Sequence, residues 1–162
     1  MVSRIKKYQQ VILYLCYKSG GRISGKKKLA KLLYFVDFDF FEKNQKSITG
    51  DSYKALPMGP FPCALENVVA SMRGKSIEVK NVKGENGYLP TETYICIGKP
   101  DESIFSKDEK KMLDRVISKY GKLSGKQLEE LSHAEAPYIG TELKKEIPYE
   151  LAFYRGTDFS DL

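Results

Sequence analysis

At 162 residues, 41% hydrophobic and 30% charged, the chain is long enough to bury one core and too apolar to stay disordered. No apolar run approaches the roughly 18 residues that a bilayer-spanning helix needs, so a membrane is not expected as a partner. The net charge of +6 is unevenly placed: residues 1–50 hold 11 Lys and Arg against 3 Asp and Glu, and the remainder holds 16 against 18. The charged start, MVSRIKKYQQVILYL, lacks a small-residue cleavage site and reads as a helix rather than a secretory signal. Cys16, Cys63 and Cys96 are odd in number and widely spaced, which suits buried free thiols in a reducing, cytoplasmic compartment.

Ile5, Tyr8, Val11, Ile12, Leu15 and Cys16 recur at helical spacing and predict a first helix over 3–18, ended by Gly20-Gly21. Ser24 is the expected N-cap of a second helix over 25–43. That helix is apolar nearly all round through Leu29, Leu32, Leu33, Tyr34, Phe35, Val36, Phe38, Phe40 and Phe41, and so should be central. Asp37 and Asp39 interrupt it. Two residues apart on a helix they point in different directions, which suits separate partners at the surface rather than a paired acid/base site. The segment "TGDS" predicts a turn, with Tyr53, Ala55 and Pro57 lining one side of a short extended stretch. The three prolines and glycine between Pro57 and Pro62 forbid a helix interior or a central strand. They predict a shaped turn that opens a helix at about Phe61 or Pro62, closed by Gly74.

Ile77, Val79 and Val82, the turn "KGENG" and the run Tyr94–Ile97 predict a β-hairpin. Ser106 with Glu109 three residues on forms a capping box for a helix carrying Met112, Leu113, Val116, Ile117 and Tyr120. A shorter helix over "SGKQLEELSH" follows, "EAPYIG" breaks the chain, and Thr141–Glu146 could add a turn or two. The expected organisation is one α+β domain over 1–155, mostly helical with a small antiparallel hairpin or sheet. A polar C-terminal tail over 156–162 is expected to fray.

No P-loop, nucleophile elbow, metalloprotease or dinucleotide-binding motif is present, and the single histidine, His133, stands near Glu135 without a metal-ligand spacing. The chain is therefore expected to bind rather than to catalyse, with no cofactor. The lysines of "GRISGKKKLAK", Lys26, Lys27, Lys28 and Lys31, form a basic face suited to nucleic acid, to an acidic protein, or simply to solvent. The string G-[RK]-[IL]-S-G-K recurs before two helices, at Gly21 and at Gly121, which fits either a helix-turn-helix DNA reader or a repeated capping solution.

Two motifs add a resemblance. The first comprises Lys28, Leu29, Lys31, Leu32, Leu33, Tyr34 and Phe35, then Ile48, Thr49, Gly50, Asp51, Tyr53 and Ala55, then Gly59, Pro60, Phe61 and Pro62. The second is "LEELSHAEAPY", with His133, Glu135 and Tyr138. In this order they resemble the Panacea domain of SocA-like antitoxins, over about residues 5–150. Leu128 and Glu129 stand at the family's L-S, so that Glu129 departs from it, Tyr138 stands where tryptophan is frequent, and Met58 stands where an aromatic residue is common. The resemblance implies a mostly helical core without catalysis. It also implies the antitoxin of a bacterial or phage (prophage) toxin–antitoxin system, which silences a cognate toxin by direct contact. Alternatives are a DNA-binding autoregulator and an adaptor presenting a partner to a cytosolic protease. The expected contact residues are exposed aromatics at the proline segment, Tyr53 and Phe61, and the Lys26–Lys31 face, with Phe61 equally suited to the core.

Overall fold

The computed structural model describes residues 3–82 and 91–162. Helix α1 (Arg4–Lys18) starts where the Ser3 hydroxyl accepts from the Lys6 amide, and it buries Tyr8 and Val11–Cys16. Ile5, assigned to the same stripe by spacing, is instead half exposed. A short strand β1 (Arg22–Ser24) then precedes α2 (Lys26–Asn44). Ser24 is thus the end of a strand rather than the N-cap. Gly25 takes the cap position at φ +109 without a side-chain bond, and its amide donates to the Glu92 carbonyl at 2.7 Å.

Helix α2 is buried without interruption from Leu29 to Phe40, as its all-round apolar pattern requires. Its aromatic residues make the centre of the core: Phe35 stacks on Tyr120 at 4.0 Å, and Phe38 stacks on Tyr149 at 4.5 Å. Asp37 and Asp39 do point apart, but they are buried rather than at the surface. Asp37 accepts from the Ile48 and Thr49 amides and from the Thr49 and Tyr53 hydroxyls, at 2.5–2.9 Å. Asp39 lies between Arg115 (3.1 Å) and Arg155 (2.7 Å).

The proline segment is a β-ribbon, not a helix start. Strands β2 (Tyr53–Leu56) and β3 (Gly59–Pro62) pair in antiparallel register, Leu56 opposite Gly59 and Tyr53 opposite Pro62, around the turn residues Pro57 and Met58. Tyr53 and Ala55 turn their backbone groups the other way, to the stretch 144–147: Lys144 N donates to Ala55 O, Ala55 N to Lys145 O and Ile147 N to Tyr53 O. Bonding alternates along an antiparallel pair, so Lys54 and Leu56 are the residues that bond β3, through Phe61 and Gly59. Pro60 and Pro62 fall at the positions that need no amide, which reconciles two prolines with a four-residue strand. Helix α3 (Leu65–Met72) begins three residues after Pro62, where Asp51 accepts from the Ala64 amide.

Strands β4 (Ile77–Val82) and β5 (Thr91–Cys96) form the expected hairpin, whose "KGENG" turn lies outside the described residues. Strand β1 joins the other edge of β5, giving the order β1-β5-β4. A strand of three residues carries too little alternation to be read from sequence. After a 3₁₀ turn at Glu102–Ile104 come α4 (Lys107–Tyr120) and α5 (Gly125–His133), each opened by a reciprocal capping box, Ser106–Glu109 and Ser124–Gln127. "EAPYIG" forms one helical turn, α6 (Ala136–Ile139), rather than a break. The stretch Thr141–Glu146 does not form a helix; it runs along β2. A 3₁₀ helix (Tyr149–Tyr154) returns the chain to α2. The fold is α+β, mostly helical with small antiparallel sheets.

The last residues are pinned rather than frayed. The Thr157 amide and hydroxyl both donate to Glu42 at 2.8 Å, Arg115 bonds the Asp161 carboxylate, and Phe159 lies under the Arg115 guanidinium at 4.8 Å. Of the thiols, Cys16 is buried, Cys96 partly so and Cys63 exposed, which departs from the expectation that all are buried.

Candidate functional site

The two motifs, far apart in sequence, meet on one side of α2. Tyr34 donates to Glu135 at 2.7 Å, and Glu135 also accepts from Arg155 at 3.0 Å. The His133 ring stacks flat on Tyr138 at 4.4 Å, and the Tyr138 hydroxyl donates to the Leu56 carbonyl at the tip of the ribbon. At the ribbon's other end Asp51 accepts from Tyr8 (2.6 Å) and from the Ser52 and Ala64 amides.

Gly59 is required twice over. Its φ is +111, and a Cβ there would lie 2.6 Å from Lys31 Cε. Lys31 runs under the ribbon and donates to the Pro60 carbonyl at 3.1 Å. The motif residues Tyr34, Gly59, Pro60, Pro62, His133, Glu135 and Tyr138 therefore form a clamp between α2, the ribbon and the α5–α6 corner. Asp51 holds the ribbon to α1 and α3, and Gly50 shapes the turn before it.

The chain belongs to the SocA-like antitoxins, Panacea domain. That family's model matches residues 29–138, which contain both motifs except Lys28 at the start of the first. No curated protein matches the chain.

Each lysine of the basic face predicted for this Panacea domain has a partner within the chain, though Lys26, Lys27 and Lys28 stay partly exposed. Lys31 is only 1% exposed, so it offers nothing to a partner. Lys28 donates to the Gly121 carbonyl at 2.7 Å, Lys27 pairs with Glu129 and Lys26 with Glu66, each at 2.9 Å. The two echoed strings are neighbours: a Cβ on Gly125 would lie 3.3 Å from the Lys28 amide nitrogen. Helix α2, buried from Leu29 to Phe40, has no free face to lay into a DNA groove. Tyr53 is fully buried, contrary to the expectation of an exposed anchor, because its hydroxyl is needed on Asp37. Phe61 is half-buried against the core.

Burial pushes the Lys31 ammonium down to about 8, below its ordinary 10.5. The unfolded chain then holds more protons than the folded one between about pH 8 and 10.5, so stability rises with pH across that window. Lys31→Met is expected to abolish that rise and to raise stability at pH 7 by on the order of 2 kcal/mol. Urea unfolding of both proteins at pH 7 and pH 10 measures it; a parallel pH response in the variant would refute it.

Sequence reasoning missed the apolar face beside the clamp. Met58 at the ribbon tip is 60% exposed, Ile139 on α6 69% and Tyr154 78%, with Leu143 exposed in the stretch that runs along β2. The contacts of Tyr138 with Leu56, of Lys144 with Ala55 and of Arg155 with Glu135 draw these four into one region. Periodicity cannot find such a face, because its members come from four separate elements.

Proposed function

We propose that this chain is the antitoxin of a toxin–antitoxin pair and silences its toxin by direct protein–protein contact through the apolar face beside the clamp. The observation that carries the reading is the exposure of Met58, Ile139, Leu143 and Tyr154 on an antitoxin-family domain. Large apolar side chains gathered on one side of a folded protein and left open to water are candidates for an interaction site. Tyrosine, here Tyr154, is among the residue types enriched in binding hot spots. The rigid clamp beneath holds the ribbon and α6 in place, so little ordering entropy is lost on binding.

Co-expression with the toxin encoded beside it tests the reading. Growth should be restored and a complex should copurify. The pair Ile139→Asp and Tyr154→Asp should weaken that complex by at least ~30-fold with an unchanged melting temperature, since both side chains already face water. Continued growth arrest with no complex overturns neutralisation. Undiminished binding by the double variant overturns the choice of face.

A further inference from the structure

A second recognition feature lies at the base of the ribbon, remote from Tyr138. Ile5 and Tyr8 of α1, Ala64 and Val68 around the start of α3, and the Thr49–Asp51 turn line an open surface cup of about 350 Å³. Arg4 lies across its rim. The Gly50 backbone, at φ +77, passes directly beneath this side chain: a Cβ there would lie 2.8 Å from Arg4 Nε and 3.1 Å from Cζ. The guanidinium has no hydrogen bond or ion pair among the described residues. The acid nearest to it in the cup, Asp51, already accepts from Tyr8, Ser52 and Ala64. Lys46, just before the Ser47 hydroxyl that accepts from the Gly50 amide, is exposed and adds positive charge without an ion-pair partner among the described residues. Arg4 and Lys46 thus leave part of the positive charge of residues 1–50 unpaired at this end.

We infer that the cup docks a segment of a protein partner in which an apolar side chain stands next to a carboxylate. The apolar side chain enters between Ile5, Ala64 and Val68, and the carboxylate takes the open guanidinium fork of Arg4, the planar bidentate pairing that arginine favours. Positive charge on the rim steers an acidic segment to it. That the segment belongs to the toxin rests on the proposed function; the site itself is tested without a toxin.

The nitrogen-15-labelled full chain would be titrated with the blocked peptide acetyl-Gly-Leu-Asp-Gly-amide, with its Asn counterpart, and with acetate. The Asp peptide is expected to shift the Ile5, Gly50, Ala64 and Val68 amides with Kd of about 1 mM. The Asn peptide and acetate should each bind about tenfold more weakly, and Arg4→Gln should weaken the Asp peptide about tenfold at unchanged melting temperature. Equal binding of the Asp and Asn peptides, an effect reproduced by acetate alone, indifference to Arg4→Gln, or no shift at these amides overturns the proposal. A positive titration beside a failed co-expression would keep the site and remove the toxin as its occupant.

Discussion

Arg155→Ala is expected to cost about 4 kcal/mol of folding stability, which for a chain of this length lowers the melting temperature by roughly 10 °C. Arg155 is the hub of a buried charge network: it bonds Asp39 at 2.7 Å, Glu42 at 2.8 Å and Glu135 at 3.0 Å, and its side chain is almost completely buried. Removing it leaves Asp39 with Arg115 alone and frees Glu135, which positions Tyr34. Lysine should restore only part of the loss, because one ammonium cannot reach three carboxylates in the directions of a planar fork. Burial already pushes the Asp39 carboxyl up to about 6 against the pull of the two guanidiniums. Without Arg155 it rises further, so the loss should be smaller at pH 5, where Asp39 takes a proton, than at pH 8. Thermal melts of wild type, Arg155→Ala and Arg155→Lys at both pH values measure this; a loss under 1 kcal/mol, or one independent of pH, would contradict the network's role.

Asp37→Ala is expected to cost about the same, some 3–4 kcal/mol, for a different reason. It leaves two backbone amides and two hydroxyls buried without their acceptor, and each such orphan costs about 1–3 kcal/mol less whatever water can recover. The Ile48–Asp51 turn should lose its anchor, and with it the base of the ribbon. Asparagine keeps an oxygen for the Ile48 and Thr49 amides and should cost about 1 kcal/mol. The two variants also separate the charge from the shape. Burial raises the Asp37 carboxyl to about 6 despite its four donors. A raised acid binds its proton more tightly in the folded state, so its contribution to stability falls as pH rises from about 4 through 6. That fall should be absent from Asp37→Asn. Denaturant midpoints at pH 4.5 and pH 7.5 decide it: an identical pH response in wild type and Asp37→Asn would refute the assignment.

The helices were legible wherever a local rule governed them. The capping box at Ser106, the all-round apolar run of α2 and the hairpin alternation around Val79 each depend on residues within a few positions of one another. The ribbon was misread as a helix start because proline is tolerated both at a helix N-terminus and at the non-bonded positions of an edge strand; pairing with a distant partner chooses between them. The lysines were misread because a charge run looks the same on a solvated face and in a buried one. Only the approach of α5 and the ribbon turned Lys27 toward Glu129 and Lys31 toward Pro60.

For this antitoxin-family domain, the sequence by itself determined most of the helices and the β4–β5 hairpin, the central place of α2 and, through its two ordered motifs, the family. Those properties follow from short-range periodicity, capping and residue identity. Which charges are buried, which aromatics are covered and where an apolar face is left open were decided only by the tertiary structure. Exposure is a property of what packs on a residue, and here the covering groups come from 144–147, from α5 and from the C-terminal residues, all distant in sequence from the α2 and ribbon residues they cover.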